Sequence, residues 1–275
     1  MQSHDLSRIR HVALDMDGTI YKGGTLFEFT PAFLKRIDDL GIGHTFLTNN
    51  SSKSVADYLA HLRKMGIQAS EDQMFTSTDS TIVYLREEFP NVRQLFVLGT
   101  PSLARHFESA GYTVLPQEDR PEIVIVGFHT SLPYEMLCKA CWWIKQGVPY
   151  VATHPDFVCP TDLPTVLVDC GAVTACIQSA TGIAPHAVLG KPDRRMLTGI
   201  MQRHQLQPDE LAMVGDRVYT DVAMAHRSGA LGVLVLTGAA TAADGAASSE
   251  PPDLTLPSLK ELGEMLADAK LRSTT

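Results

Sequence analysis

Long apolar runs are missing from this sequence, so no stretch approaches the roughly 20 consecutive apolar residues that a membrane-spanning helix needs. Basic charge is also scarce, with 23 Lys and Arg against 31 Asp and Glu and a formal net charge of −8. That balance argues against non-specific nucleic-acid binding and against an anionic membrane surface as partner, and no basic arm is present. Residues Met1 to Arg10 carry no apolar segment of the kind that opens a secretory leader, so a cytoplasmic protein is expected. Cysteine is sparse and odd in number, five in 275 residues, which suits reduced thiols better than a disulfide framework. Cys138 and Cys141 form a C-x-x-C, but inside an amphipathic helical pattern and with no second pair for zinc, so core packing is expected. No strand is followed by G-x-G-x-x-G, which removes the dinucleotide-binding fingerprint. What remains is 44% hydrophobic and long enough for one large domain or two modest ones.

The most informative stretch runs from His11 to Thr19. Its apolar residues Val12, Ala13 and Leu14 read as a buried parallel strand, and the strand stops at Asp15-Met16-Asp17-Gly18-Thr19. Open α/β sheets bind ligands at that carboxyl end. Residues two apart on a strand share a side, so Asp15 and Asp17 can approach one substrate group or one cation together. Asp-Gly is also a turn dipeptide, and taken alone the acidic pair reads equally well as a solvated turn.

Punctuation along the chain predicts a regular alternation. Thr30-Pro31 opens a periodic segment that Gly41 closes, with Thr30 as expected cap; the strand Gly43 to Leu47 ends in Thr48-Asn49-Asn50-Ser51-Ser52. A helix over 54–65, a short strand at Met74-Phe75 and a helix to Phe89 complete a βαβα series, for which a parallel sheet is the default. A second series follows, with strands over 94–98, 123–127 and 150–153 and helices over 101–111, 133–146 and 169–182. Between its last two elements lies a proline-rich loop from His154 to Pro164, long enough to suggest function. Lys191-Pro192-Asp193 then starts a helix to His204, the strand Leu211 to Val214 ends in Gly215-Asp216-Arg217, and Asp221 sits near the start of the next helix. After a strand over 231–236, the low-complexity segment Ala239 to Ser249 reads as loop and Pro257 to Ala269 as a packing helix.

Three strands therefore end in polar clusters: Asp15-x-Asp17, Thr48-Asn49-Asn50, and Gly215-Asp216 with Asp221 beyond. As parallel neighbours their ends would converge on one crevice, with Lys191 entering from a helix start. Three carboxylates repel one another there without a cation, and oxygen-only ligands select a hard ion, most simply Mg²⁺. A cation with a lysine, a hydroxyl and backbone amides is also what a phosphate dianion requires.

At these residues the chain resembles the haloacid dehalogenase superfamily of phosphohydrolases, and within it the NagD-like branch of nitrophenyl-phosphatase-type enzymes. Asp15-Met16-Asp17-Gly18-Thr19 is similar to its first motif, Leu47-Thr48-Asn49-Asn50-Ser51 to its second, Gly190-Lys191-Pro192 to its third, and Val214-Gly215-Asp216-Arg217 through Thr220-Asp221 to its fourth. The resemblance implies an α/β protein with a doubly wound, Rossmann-like parallel-sheet core over 1–82 and 186–275 and an inserted α/β cap over 83–185. It implies that Asp15 attacks phosphorus to give an aspartyl-phosphate, that Asp17 serves as general acid and base, and that Mg²⁺ is held by Asp15, Asp17 through its backbone carbonyl, and Asp216. Asp221 would orient that metal site and Lys191, although a carboxylate in a first helical turn also simply meets the helix dipole. Thr48 and Asn49 would hold phosphoryl oxygens, Lys191 would neutralise charge, and Arg217 and Thr220 would line the site. Ala152-Thr153-His154-Pro155-Asp156 is similar to a cap signature in which Asn more often stands at the His154 position. Asp169-Cys170-Gly171-Ala172 sits where relatives often carry a glycine-rich turn. His154 is expected to touch the leaving group, with Asp156 and Asp169 beside it; a loop histidine bonded to nearby backbone is the competing reading. The implied substrate is a small phosphomonoester (nucleotide, sugar phosphate, phosphoglycolate or p-nitrophenyl phosphate), with no nucleic acid or membrane partner and with a homodimer formed through the cap. A phosphotransferase or phosphomutase on the same core, and a phospho-accepting signalling domain, are the alternatives.

Overall fold

Val12, Ala13 and Leu14 have no solvent exposure because the strand that holds them, His11–Asp15, has a parallel neighbour on each side and helices on both faces. The computed structural model describes residues 5–159 and 164–273. The chain divides into two units, one formed by Met1–Leu47, Leu59–Phe75 and Pro192–Thr275, the other by Thr48–Tyr58 and Thr76–Lys191.

The first unit is built on six strands. His11–Asp15 pairs with Gly43–Thr48 on one side and with Leu211–Gly215 on the other; Met74–Thr76 lies beyond the first, and Leu231–Val235 then Leu254–Leu256 beyond the second. The chain thus starts mid-sheet and winds outward both ways, the doubly wound order expected from the βα alternation. Side-chain alternation along the strands then separates two cores. Ala13, Leu47, Leu211 and Met213 meet Met196, Leu197 and Ile200 of the helix Arg195–His204 and Met224 and Ala225 of Ala223–Ser228. The helix Thr30–Asp39 buries Phe33, Leu34 and Ile37 and packs against Leu259–Ser273. Each such apolar side chain contributes about 1.5–3 kcal/mol when fully buried.

The second unit has its own five-stranded parallel sheet, in the order Ala187–Val188, Tyr150–Ala152, Ile123–Val126, Gln94–Leu98, Thr113–Val114. Phe96, Leu98, Val124, Val126, Tyr150 and Ala152 pack with residues of the helices Tyr134–Lys145 and Cys170–Thr181. Leu95, Val97, Ile123, Ile125 and Val151 pack with Ile82, Leu85, Leu103 and Phe107 on the other face. The unbroken run Ile123-Val124-Ile125-Val126 is explained by burial on both faces. Among the described residues no helix is long and apolar enough to cross a membrane.

Several local expectations are corrected. Thr30 does not cap its helix: its hydroxyl donates to the Ile20 carbonyl at 2.8 Å, and the helix starts without a side-chain cap. Part of Ala239 to Ser249 is helical, Ala242–Ala247, because Thr241 and Asp244 satisfy each other's backbone amides in a reciprocal cap that outweighs the weak composition. The loop from His154 to Pro164 contains the strand Val158–Cys159, which pairs antiparallel with Leu167–Val168; residues 160–163 lie outside the described chain. Cys141 does pack against the core, whereas Cys138 is exposed.

Candidate active site

In the first unit the acidic residues gather where the central strands end. Asp15 closes His11–Asp15 and Asp216 follows Leu211–Gly215, so their parallel pairing brings both to one edge of the sheet. Asp221 comes from the π-helical turn Val218–Val222, a wider-wound, i→i+5 start to the next helix where the sequence suggests an ordinary α-helix. One oxygen from each of Asp15, Asp216 and Asp221 lies within 4.8 Å of the others. Asp216 and Asp221 are almost fully buried, Asp15 is half-buried and Asp17 is exposed.

Backbone contacts hold this cluster. Asp216 Oδ2 accepts from Ala239 N–H at 2.7 Å and its carbonyl accepts from Ala240 N–H at 3.0 Å. Asp221 Oδ2 accepts from Arg217 N–H at 3.1 Å. The turn after Asp17 closes through Gly18 N–H on the Tyr21 carbonyl at 2.7 Å, and Thr237 Oγ1 donates to the Gly18 carbonyl at 2.6 Å. Gly18 has φ +85°, and a Cβ there or at Gly238 would collide with the Asp216 carboxylate. The Thr237-Gly238-Ala239 turn is therefore part of the site, a role the sequence hints at only by placing Thr-Gly after the last long apolar strand. Arg217 Nε lies 4.0 Å from Asp216 Oδ1. Burial opposes the guanidinium charge, but Tyr219, Asp216, Asp15 and Asp221 more than offset it and push the Arg217 pKa up. Thr220 is buried in the same turn.

Three hard carboxylate donors, two of them desolvated, fit a divalent cation of the Mg²⁺ or Ca²⁺ type and lack the His or Cys ligands that softer ions favour.

The second unit assembles the other motif residues. Asn49 Oδ1 accepts from Lys191 N–H at 2.7 Å, while Asn49 Nδ2 donates to the Lys191 carbonyl at 3.2 Å and to Asp156 Oδ2 at 3.0 Å. Gly190 has φ +72°, and a Cβ there would lie 2.7 Å from Asn49 Oδ1 and 2.8 Å from His154 Cβ. The preceding segment is equally constrained: Thr48 Oγ1 accepts from Asn50 N–H at 3.2 Å, the Asn49 carbonyl accepts from Ser77 Oγ at 2.6 Å, and Ser51 Oγ accepts from Phe128 N–H at 3.0 Å. Lys191 is 4% exposed. His154 is wholly buried, with Nδ1 3.3 Å from Asp156 Oδ2 and Nε2 3.4 Å from Asp169 Oδ1. Burial would raise the Asp156 pKa, but His154, Asn49 and Lys191 hold it below the usual range; burial raises that of Asp169 against His154 and the Cys170 amide. Burial also pushes the Cys170 thiol up to about 11, so it stays protonated while its Sγ donates to the Val126 carbonyl at 3.2 Å.

The structure therefore brings Asp15, Asp216, Asp221, Arg217 and Thr220 together in one unit, with Asp17 two residues beyond Asp15, and Thr48, Asn49, Lys191 and His154 in the other. The tie from Asp156 to Asn49 spans 107 positions and leaves no local sequence signal.

Known proteins are similar to this chain along nearly its whole length. The haloacid dehalogenase-like hydrolase family matches residues 12–113, and an HAD-hydrolase-like family matches residues 188–262. A solved 4-nitrophenylphosphatase from Thermotoga maritima is 37% identical, superposes with a TM-score of 0.89, and covers 95% of this chain and 98% of its own. A solved putative NagD protein is 34% identical with a TM-score of 0.87, covering 94% and 98%. An acid sugar phosphatase from Staphylococcus aureus is 29% identical over 93% of this chain and 96% of its own length. With the carboxylate cluster at the ends of the central strands, these likenesses establish that the chain belongs to the haloacid dehalogenase-like hydrolases, in their NagD-like, p-nitrophenyl-phosphatase-type branch.

Proposed function

We propose that this phosphatase, a hydrolase of small phosphate monoesters, works with Mg²⁺ and through a phosphorylated Asp15. The observation that carries the reading is the convergence of Asp15 and Asp216, at the ends of adjacent parallel strands, with Asp221 from the following π-helical turn, and with the exposed Asp17 two residues beyond Asp15. Asp15 is the nucleophile: its carboxylate attacks phosphorus, the leaving oxygen takes a proton from Asp17, and Asp17 then deprotonates the water that hydrolyses the acyl phosphate. Asp15, Asp216 and the Asp17 carbonyl hold the cation, which offsets phosphoryl and carboxylate charge when bound, and Asp221 steadies that cluster through its bond from Arg217 N–H. Thr48 and Asn49 donate to phosphoryl oxygens, Lys191 supplies positive charge to the same group, and Arg217 and Thr220 line its surroundings.

We assign 1–82 and 186–275 to the catalytic core and 83–185 to the cap that selects the leaving group. The relatives' names support sugar phosphates and aryl phosphates as the first substrates to try. The free thiols of all five cysteines support a reducing, cytoplasmic setting, and the exposed Tyr134 and Trp142 support pairing of two copies through the cap, which light scattering tests directly. The deciding experiment measures phosphate release from p-nitrophenyl phosphate and a hexose phosphate with Mg²⁺, with EDTA, and with Asp15→Asn. Turnover that survives Asp15→Asn refutes the covalent route.

A further inference from the structure

His154 sits inside a line of polar contacts that none of the reaction roles above uses. Its two ring nitrogens face different carboxylates, Asp156 at 3.3 Å and Asp169 at 3.4 Å, and the ring has no exposure to solvent. Both carboxylates are themselves pinned. Asp169 precedes the helix Cys170–Thr181 and its Oδ1 accepts from Cys170 N–H at 2.6 Å. The Asp156 carbonyl accepts from Gly171 N–H at 2.8 Å, and its Oδ2 accepts from Asn49 Nδ2, whose amide grips the Lys191 peptide at both its N–H and its carbonyl. The line therefore runs Asp169, His154, Asp156, Asn49, Lys191, all within one unit.

Donor counting shows what the arrangement demands. A neutral imidazole has one N–H and would turn a lone pair toward the second carboxylate, so the trio needs one further proton, on the ring or on Asp169. The pKa directions of the carboxylates agree, with Asp156 held low and Asp169 raised. Negative charge then rests on Asp156, the carboxylate that the Asn49 amide meets. That fixes the amide's orientation, nitrogen toward Asp156 and oxygen toward Lys191 N–H. One ring nitrogen of His154 and one oxygen from each carboxylate also lie within 4.8 Å of one another, so a cation bound there is the competing occupant and is one outcome of the test below.

We propose that His154 is a positioning residue of the hydrolytic reaction: clamped between Asp156 and Asp169, it holds Asp156 against Asn49 and so fixes the peptide that presents Lys191. The proposal rests on the reading that Lys191 acts on the phosphoryl group. Because that group is common to every substrate, loss of the clamp lowers turnover by the same factor whatever the leaving group. This differs from a contact to the leaving group, which would spare p-nitrophenyl phosphate.

The test compares wild type, His154→Asn, Asp169→Asn and the double variant on p-nitrophenyl phosphate and a hexose phosphate, with the melting temperature and the amide resonances of Asn49 and Lys191 recorded for each. A side-chain amide at 154 reaches the Nδ1 position beside Asp156 but places nothing at the Nε2 position that faces Asp169, so His154→Asn leaves that buried carboxylate unanswered and loses about 10- to 100-fold in kcat/KM on both substrates. Adding Asp169→Asn removes the buried charge left unanswered there while its amide oxygen still accepts from Cys170 N–H, and it restores most of the loss. Loss confined to the hexose phosphate overturns the proposal, as does failure of the second substitution to rescue, or a lowered melting temperature with full turnover. So does a second bound metal that vanishes with His154→Asn. If wild type releases no phosphate from any monoester, the phosphatase reading fails instead, and the clamp stands or falls on whether the Asn49 and Lys191 resonances shift in His154→Asn and return in the double variant.

Discussion

The strand that carries Asp15 begins at a histidine whose burial makes it acid-labile. His11 is 4% exposed, bonds to Thr45 Oγ1 through Nε2 at 2.8 Å, and stacks on His204 with ring centroids 4.3 Å apart. Burial, reinforced by His204 and His44, pushes its pKa down from 6.5 to about 3. Because the folded value lies below the unfolded one, the unfolded chain takes up a proton first as pH falls. Stability is full above pH 6.5 and is lost progressively toward pH 3. Between pH 7.5 and pH 5 a single site with these values costs about 2 kcal/mol, equivalent to a ~30-fold rise in the open population. That window lies above the range where carboxylates dominate acid unfolding. Both tryptophans, Trp142 and Trp143, belong to the other unit, so their fluorescence is the wrong probe. Hydrogen exchange of the Val12, Ala13 and Leu14 amides, corrected for intrinsic rate, reads the opening of this strand directly. In wild type their protection falls ~30-fold or more at pH 5, and in His11→Gln the fall is smaller by about that factor. Equal falls in the two proteins would refute the assignment of acid sensitivity to His11.

Other perturbations separate the parts of the site. Asp15→Asn leaves no phosphoenzyme detectable by mass spectrometry, whereas Asp17→Asn keeps the nucleophile and loses roughly 10²–10⁴-fold in turnover, least for good leaving groups such as p-nitrophenolate; equal loss across leaving groups counts against Asp17 as the acid. Exhaustive chelation abolishes phosphate release and Mg²⁺ restores it, while undiminished turnover after chelation refutes the metal assignment. Gly190→Ala forces an unfavourable positive φ and a clash with Asn49 Oδ1, so turnover on every substrate falls well below that of a surface Gly→Ala control such as Gly24→Ala, which meets no neighbouring atom; equal activities would show that the Asn49 contact to Lys191 is dispensable.

How far the sequence reached follows from the range of each interaction. The period-2 apolar runs and the polar strand ends are local, and parallel pairing turns them into a convergent carboxylate site with no further information, so Asp15, Asp216 and Asp221 were legible. The cap of Ala242–Ala247 was equally local, written in Thr241-x-x-Asp244, but composition hid it. Thr30 departs from its local signal because its hydroxyl donates to the Ile20 carbonyl ten residues earlier, a tertiary contact that outcompetes the helix start. The environment of His154 was the least legible. A loop histidine beside two acidic residues suggests exposure, whereas in the fold the Asp169 helix start packs against Pro155-Asp156, where Gly171 leaves room for the Pro155 carbonyl, Gly190 lies against His154 Cβ, and the ring is buried. Burial changes what the same residue can do: an exposed imidazole can meet a leaving group, whereas an enclosed one acts by fixing the charge and direction of the groups it touches.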